Sequence, residues 1–190
     1  MIIRKLLPSE TAKLSEHLVR LTREQRSLRF MGTLEDGAVR EHCRSLDWFQ
    51  AVVIGFFDAG VLRGAAELQM ADSRRPILCE VAITVETAWQ DQGIATELLS
   101  RVLVIARNRS SRGVQIRCFG DNYRIQHIAQ KFGARFHFSG GDSEAEIPTS
   151  APTYWSFYEE LIDDGLGWMR FWLDGMLPRP QRMNISCASV

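Results

Sequence analysis

The chain has 190 residues, 45% of them hydrophobic, which suits one domain with a full core and is too apolar for a disordered chain. Basic and acidic residues both number 23, so the formal net charge is zero, which excludes a general electrostatic attachment to nucleic acid or to an anionic membrane. Cys43, Cys79, Cys118 and Cys187 form no C-x-x-C pair, no signal-peptide pattern opens the chain, and no run approaches the ~20 apolar residues of a membrane span; the expectation is a reduced, cytoplasmic, metal-free protein.

Ile2 to Leu7 reads as a first strand stopped by Pro8, followed by a helix capped by Ser9 that runs to about Arg23 and buries Leu14, Leu18 and Leu21. Ser27 to Gly32 reads as an apolar, cationic loop, and a second helix as Leu34 to Leu46, capped by Thr33. A hairpin follows, with strands Phe49–Phe57 and Val61–Met70 about an Asp58-Ala59-Gly60 turn; Gly64 marks a bulge or a close backbone approach. A polar loop from Ala71 to Pro76 leads into the β-branched strand Ile77–Val85.

Helical spacing resumes from Thr96 to Ala106. Val114–Phe119 alternates as a strand, Asn122–Phe132 is a helix closed by Gly133, and Ala134–Ser139 with Glu144–Ile147 makes a last antiparallel pair around Gly140-Gly141. From Tyr158 to Met176, apolar residues 158, 161, 162, 169, 172, 173 and 176 share one helical face, ended by Pro178 and Pro180. The division expected is a domain over 1–150, a helical extension over 151–177 and a flexible tail over 178–190. Trp155, Trp168 and Trp172 read as a packing or homodimer face rather than a ligand cage.

The segment Gln90-Asp91-Gln92-Gly93-Ile94-Ala95 lies between a strand and a helix. A strand that turns through glycine into a helix leaves backbone N–H groups unpaired at the positive end of the helix dipole, a site for an anion such as a pyrophosphate. Gly93 lets a phosphate approach the main chain without a Cβ in the way.

The order β-α-α-β-β-β-α-β-α-β-β, with the glycine turn between fourth strand and third helix, resembles the GCN5-related N-acetyltransferase (GNAT) family over residues 1–150. Two segments carry the resemblance. Val81–Val85 followed by Gln90–Ala95 matches the acetyl-CoA motif Q/R-x-x-G-x-G/A, and Asn122 with Lys131, Phe132, Gly133 and Ala134 matches N-x8-K-x-G-F/A. Within the family, Ser27-Leu28-Arg29-Phe30 and Cys79-Glu80-Val81-Ala82 are most similar to bacterial protein-lysine acetyltransferase catalytic domains.

The fold this implies is α/β: a mixed, mostly antiparallel central sheet whose fourth and fifth strands splay, flanked by helices, with an added C-terminal amphipathic helix. The implied activity is transfer of acetyl from acetyl-CoA to a primary amine, first of all a protein lysine. The alternatives are a small amine of polyamine or aminoglycoside type, or a catalytically silent acetyl-CoA-binding regulator. The pantetheine arm is expected against the backbone of Ile83 and Val85, and the pyrophosphate against Gln90, Asp91, Gln92, Gly93, Ile94, Ala95 and Thr96. Asn122 is expected at the same cofactor or as a helix cap, and Arg29 and Phe30 at the acceptor entrance.

A lysine amine, with a pKa near ~10.4, must lose a proton before it attacks a thioester. Glu80, an acid inside an apolar strand, is the candidate base, since burial makes a carboxylate more basic; pairing with Arg74, Arg75 or Arg117 is the competing role, and Glu67 is the reserve. The family's tyrosine acid, seven residues after the motif asparagine, is replaced by Ala129. Tyr123 and His127 lie nearby but point differently from position 129.

Overall fold

The computed structural model describes residues 1–70 and 78–176, side chains of 170–176 excepted. Its centre is a seven-stranded sheet in the order β1-β2-β3-β4-β5-β7-β6. The strands are β1 (Ile2–Lys5), β2 (Ala51–Asp58), β3 (Val61–Met70), β4 (Leu78–Val85), β5 (Gly113–Phe119), β6 (Arg135–Ser139) and β7 (Asp142–Pro148). Every pairing is antiparallel except β4 with β5. The mixed, mostly antiparallel α/β sheet matches the expectation.

The helices are α1 (Thr11–Arg20), α2 (Arg23–Phe30), α3 (Asp36–Arg44), α4 (Ile94–Asn108), α5 (Tyr123–Gln130) and α6 (Tyr154–Met176). One core lies between the sheet and α4, where Leu98, Leu99 and Val102 are fully buried against Val81, Leu68 and Ile116. At about 2 kcal/mol for each fully buried aliphatic side chain, this contact fixes how β4 enters α4. The second core lies on the opposite face, where Leu14, Leu18 and Val39 of α1 and α3 cover Val53, Leu62 and Ala65.

The hairpin is legible to the residue on its β3 side, and the irregularity expected at Gly64 is present. Phe56 pairs with Gly64 while Phe57 pairs with Leu62, so Arg63 is the extra residue of a bulge. The bulge changes parity, which lets Leu62 and Ala65 face the same core, and it re-aims Arg63. A Cβ at Gly64 would come within 3.2 Å of the Thr84 carbonyl, so the close approach is present as well.

Three local expectations are corrected. Residues 27–30 are not a loop but the end of α2, which Thr22 caps by accepting from the Gln25 N–H at 3.2 Å while the Gln25 side chain returns to the Thr22 N–H at 3.1 Å. Pro8–Glu10 forms a 3-10 turn, which moves the start of α1 from Ser9 to Thr11. Glu35, not Thr33, precedes α3. The 71–76 loop, Ile77, Pro178, Pro180, Cys187 and the 178–190 tail lie outside the described residues.

Helix α6 begins at Tyr154, earlier than its apolar spacing suggests, and packs on β1 and α4 with its acidic side inward. Lys5 Nζ reaches Glu160 and, at 2.7 Å, Asp164, while Arg101 faces Asp163. Trp168 stacks on the Arg4 guanidinium. Trp155, Tyr158, Leu161, Ile162 and Met169 are exposed. The Trp172 side chain lies outside the described set. Among the described residues no helix is long and apolar enough to cross a membrane.

Candidate functional site

Among the described residues, strands β4 and β5 pair only at Leu78 with Gly113, Cys79 with Val114 and Glu80 with Gln115. Beyond that point they diverge, as the splay requires. The Glu86 N–H donates to the Arg63 carbonyl at 2.9 Å, so by strand alternation the backbone groups of Ala82 and Thr84 also serve β3. Those of Val81, Ile83 and Val85 therefore face the gap. An extended ligand can bond there as an added strand would.

Ile83 and Val85 thus stand where the sequence puts them, with one refinement. The Val85 carbonyl already accepts from the Gln25 side-chain amide at 3.0 Å and from the Gln90 amide at 2.9 Å. Gln25 was not among the expected site residues. Its signal in the sequence is the T-x-x-Q capping box, which starts α2 and aims its third residue back toward the sheet.

The gap opens into a cavity of about 600 Å³, ample for a slender acyl-pantetheine arm. Its wall includes Gln90, Asp91, Gly93, Ile94, Ala95 and Thr96 from the β4–α4 connection, together with Asn122 and Arg29. Gly93 is the left-handed residue before α4, at φ 79°, and no side chain caps the helix there. The first bond of the α4 ladder runs from the Glu97 N–H to the Gly93 carbonyl at 3.0 Å, which leaves the N–H groups of Ile94, Ala95 and Thr96 outside it. A Cβ on Gly93 would meet nothing within 4 Å, so the turn is open on that side. These features fit a pyrophosphate and its pantetheine arm.

Gln92 is not on the cavity wall; its side-chain amide donates to the Ala88 carbonyl at 3.2 Å. Arg124, absent from the sequence expectations, donates to Gln90 Oε1 at 2.6 Å and sits 3.5 Å from Asp91, beside the open helix start. Asn122 caps α5 by accepting from the Ile125 N–H at 3.4 Å while its residue lines the cavity, so the two roles anticipated for it are compatible.

On the opposite side of the sheet, Arg29 of α2 lines the cavity and donates to Glu67 Oε1 at 2.8 Å, while His42 Nε2 of α3 lies 3.0 Å from Glu67 Oε2. Burial pushes the Glu67 carboxyl up, but the Arg29 charge and His42 outweigh it and hold the group at about 2. Glu67 is therefore a fixed anion. Phe30 lies outside the cavity, packed into the α1–α3 core and edge-on to His42 at 5.2 Å.

The burial expected of Glu80 is not found. Its side chain is 47% accessible and sits 3.9 Å from Arg117. Its neighbours across the strands are Gln69 and Gln115, so this end of the sheet face is polar. Arg74 and Arg75 lie outside the described residues. Glu80 does mark the last β4–β5 pair, at the apex of the gap. Ala129 is fully buried in the α4-side core, while Tyr123 is exposed and His127 borders the cavity.

Residues 14–134 match the family model for the acetyltransferase (GNAT) family. The chain belongs to that family. Among solved structures, this GNAT protein is similar to the GNAT domain of S. lividans PAT, at 20% identity and a TM-score of 0.66, covering 77% of this chain and 89% of that one. It is also similar to yncA, a putative acetyltransferase from Salmonella typhimurium with its cofactor acetyl-CoA, at 16% identity, a TM-score of 0.59 and coverage of 81% and 98%. A third is RimL, a ribosomal L7/L12 alpha-N-protein acetyltransferase in complex with coenzyme A, at 17% identity, a TM-score of 0.62 and coverage of 80% and 96%. No curated protein matches the sequence. These structural likenesses establish the fold; the family match makes the protein an acetyltransferase by class.

Proposed function

We propose that this GNAT protein transfers acetyl from acetyl-CoA to a primary amine, with protein lysines as the first acceptors. One observation carries the donor half. The unpaired strand edge of β4 and the uncapped start of α4 open into the same cavity. Ile83 and Val85 hold the pantetheine arm, and the N–H groups from Gly93 to Thr96 hold the pyrophosphate with Gln90, Asp91 and Asn122 around them. Arg124 and Lys131 add positive charge on the cavity wall.

The acceptor half rests on charge. On the α2 side of the cavity the cations are Arg29 and Arg117, balanced by Glu67 and Glu80. Among the described residues no spare carboxylate remains there to attract a polyamine or an aminoglycoside, so a single amine on a protein surface suits the entrance better. Glu80, at the apex of the gap, takes the proton from the incoming ammonium directly or through water, and Arg29 lines the approach. Phe30 supports Arg29 from behind, with the guanidinium 4.7 Å over its ring.

The second reading is a silent acetyl-CoA-binding regulator. Ala129 favours it, because a buried alanine offers no hydroxyl acid to the leaving sulfur. The catalytic domain is taken as 1–150, with 151–177 as an extension whose exposed aromatic face suits a homodimer. The buried thiols Cys43, Cys79 and Cys118 suit a cytoplasmic setting. The deciding experiment measures thiol release from acetyl-CoA against a panel of proteins, peptides and small amines, with mass spectrometry of the acceptors. Release with lysine-bearing proteins supports the first reading. Tight acetyl-CoA binding without release on any amine establishes the regulator.

A further inference from the structure

Of the four histidines, His17 alone is fully buried. It interrupts the apolar stripe of α1 between Leu14 and Leu18 and faces the end of β4. Its Nε2 lies 2.9 Å from Thr84 Oγ1 and its Nδ1 lies 3.2 Å from Glu86 Oε1. Glu86 also accepts from Arg20 Nε at 3.0 Å and from Arg63 Nη1 at 2.8 Å, the arginine that the β3 bulge re-aims. Burial pushes the Glu86 carboxyl up, but hydrogen bonds from His17, Arg63 and Arg20 outweigh it and hold it at about 2. The carboxylate at the far end is thus a permanent charge with a fixed orientation.

Thr84 closes the other end. The residue is on the cavity wall, between Ile83 and Val85, whose backbones face the gap. Its hydroxyl, besides facing His17, lies 3.5 Å from the Ala65 carbonyl, the contact it gives up when it exchanges protons with a bound ligand. The other hydroxyls on that wall are Thr96, in the first turn of α4, and Tyr123, which is exposed at the start of α5. A hydroxyl at a ligand cavity, an imidazole within hydrogen-bond reach of it, and a carboxylate orienting that imidazole are the parts that make a hydroxyl a proton carrier. Packing alone gives no reason for them: an aliphatic side chain at position 17 would fill the stripe without burying a polar ring.

Resting on the acetyl-transfer reading, we propose that Glu86, His17 and Thr84 form a buried proton relay whose cavity end, the Thr84 hydroxyl, moves a proton from the attacking amine nitrogen to the departing CoA sulfur. The acceptor arrives neutral, its ammonium proton already taken at Glu80. As the nitrogen bonds to the thioester carbon, its surplus proton passes to Thr84 Oγ while the Thr84 proton passes to His17 Nε2. The imidazolium so formed donates through Nδ1 to Glu86, which stays ionised. When the C–S bond breaks and sulfur takes the electron pair, the Nε2 proton returns to Oγ and the Oγ proton goes to sulfur. The relay ends as it began, and one proton has moved from nitrogen to sulfur.

Thr84→Val removes the hydroxyl at almost constant volume and Thr84→Ser restores it. Thr84→Val leaves the buried His17 Nε2 without its partner, so the Tm should fall by a few degrees. The relay requires the folded variant to bind acetyl-CoA within about twofold of wild type by calorimetry. Its kcat then falls about 100-fold while the KM for acetyl-CoA holds, and Thr84→Ser recovers most of the loss. An unchanged kcat in Thr84→Val, or a loss confined to cofactor affinity, overturns the relay. A second arm needs no turnover. In protein with 15N-labelled histidine, the His17 ring resonances should differ between the CoA-bound and desulfo-CoA-bound forms, and Thr84→Val should erase the difference. Identical His17 spectra with the two ligands overturn the relay whatever the activity. A sulfur-dependent shift in a protein that acetylates no amine supports the Thr84 contact and counts against the acetyl-transfer reading alone.

Discussion

The Gln25 side-chain amide of α2 donates to the Val85 carbonyl of β4 at 3.0 Å, across the gap where β4 has lost β5. With the Gln90 amide on the same oxygen at 2.9 Å, both lone pairs of that carbonyl are filled. A pantetheine amide that bonds this oxygen must displace one of the two. Gln25→Ala removes a competitor worth about 0.5–1.5 kcal/mol. The expected result is acetyl-CoA binding several-fold tighter by calorimetry. An unchanged dissociation constant would mean that the arm uses the Val85 N–H alone.

Glu80→Gln should bind acetyl-CoA like the wild type and release thiol about 100-fold or more slowly with an amine acceptor at neutral pH. At high pH, where the amine arrives already neutral, the deficit should shrink. Steady-state rates across that range check both statements, and a pH-independent deficit would remove Glu80 from the role of base.

Gly93→Ala places a Cβ on a residue at φ 79°, which costs about 1–2 kcal/mol through backbone strain. The new methyl also stands on the open side of the α4 start. Thermal melting should show a Tm lower by a few degrees, and the acetyl-CoA dissociation constant should rise at least tenfold. A melt change with affinity intact would place the pyrophosphate elsewhere.

Three carboxylates make the fold acid-sensitive in a defined window. Burial pushes Glu10, Glu67 and Glu86 up, but arginine, lysine and histidine partners outweigh it and hold each at about 2. In the unfolded chain a glutamate titrates near ~4.3. Each lowered group stabilises the native state fully above that value, and the contribution is lost as pH falls toward 2. Urea midpoints should therefore be flat above about pH 5.5 and drop steeply between about 4.5 and 2. Glu67→Gln, which leaves Arg29 buried without its counter-charge, should lower stability by about 3–5 kcal/mol at neutral pH and flatten that drop.

The exposed face of α6 gives a solution test. Sedimentation equilibrium should find a dimer, and Leu161→Glu, at a site 68% exposed, should yield a monomer with Tm almost unchanged. A wild-type monomer at high concentration rules out this helix as a homodimer face.

The sheet, its hairpin and the glycine turn were legible because each obeys a local rule: period-two alternation, a two-sided turn, or a glycine between a strand and a helix. Helix α2 follows a rule too. Its Thr22–Gln25 capping box was present, but the Ser27-Leu28-Arg29-Phe30 string reads more readily as an apolar loop. Glu80 went differently. Cys79 and Val81 report only the α4 side of β4, while the exposure of Glu80 depends on Gln69 and Gln115 on neighbouring strands. The Arg29–Glu67–His42 cluster joins three separate stretches of chain and the Thr84–His17–Glu86 cluster joins two, α1 and the end of β4, so no periodicity encodes them. For His17 the trace in the sequence is a polar ring on an otherwise apolar helix stripe.

The three-residue pairing of β4 with β5 has a consequence for the life of the protein in the cell. On the proposed reading, a sheet that stops being stitched half-way leaves its middle, not its rim, to be completed by the acetyl donor. Each round of catalysis removes that piece and leaves the molecule unfinished until another donor arrives. The fraction of time spent whole then tracks donor supply, and resistance to unfolding grows with the logarithm of donor concentration above its dissociation constant. When the donor runs short, the chain becomes both idle and easier to unfold, so proteolytic turnover can remove idle copies without a separate signal.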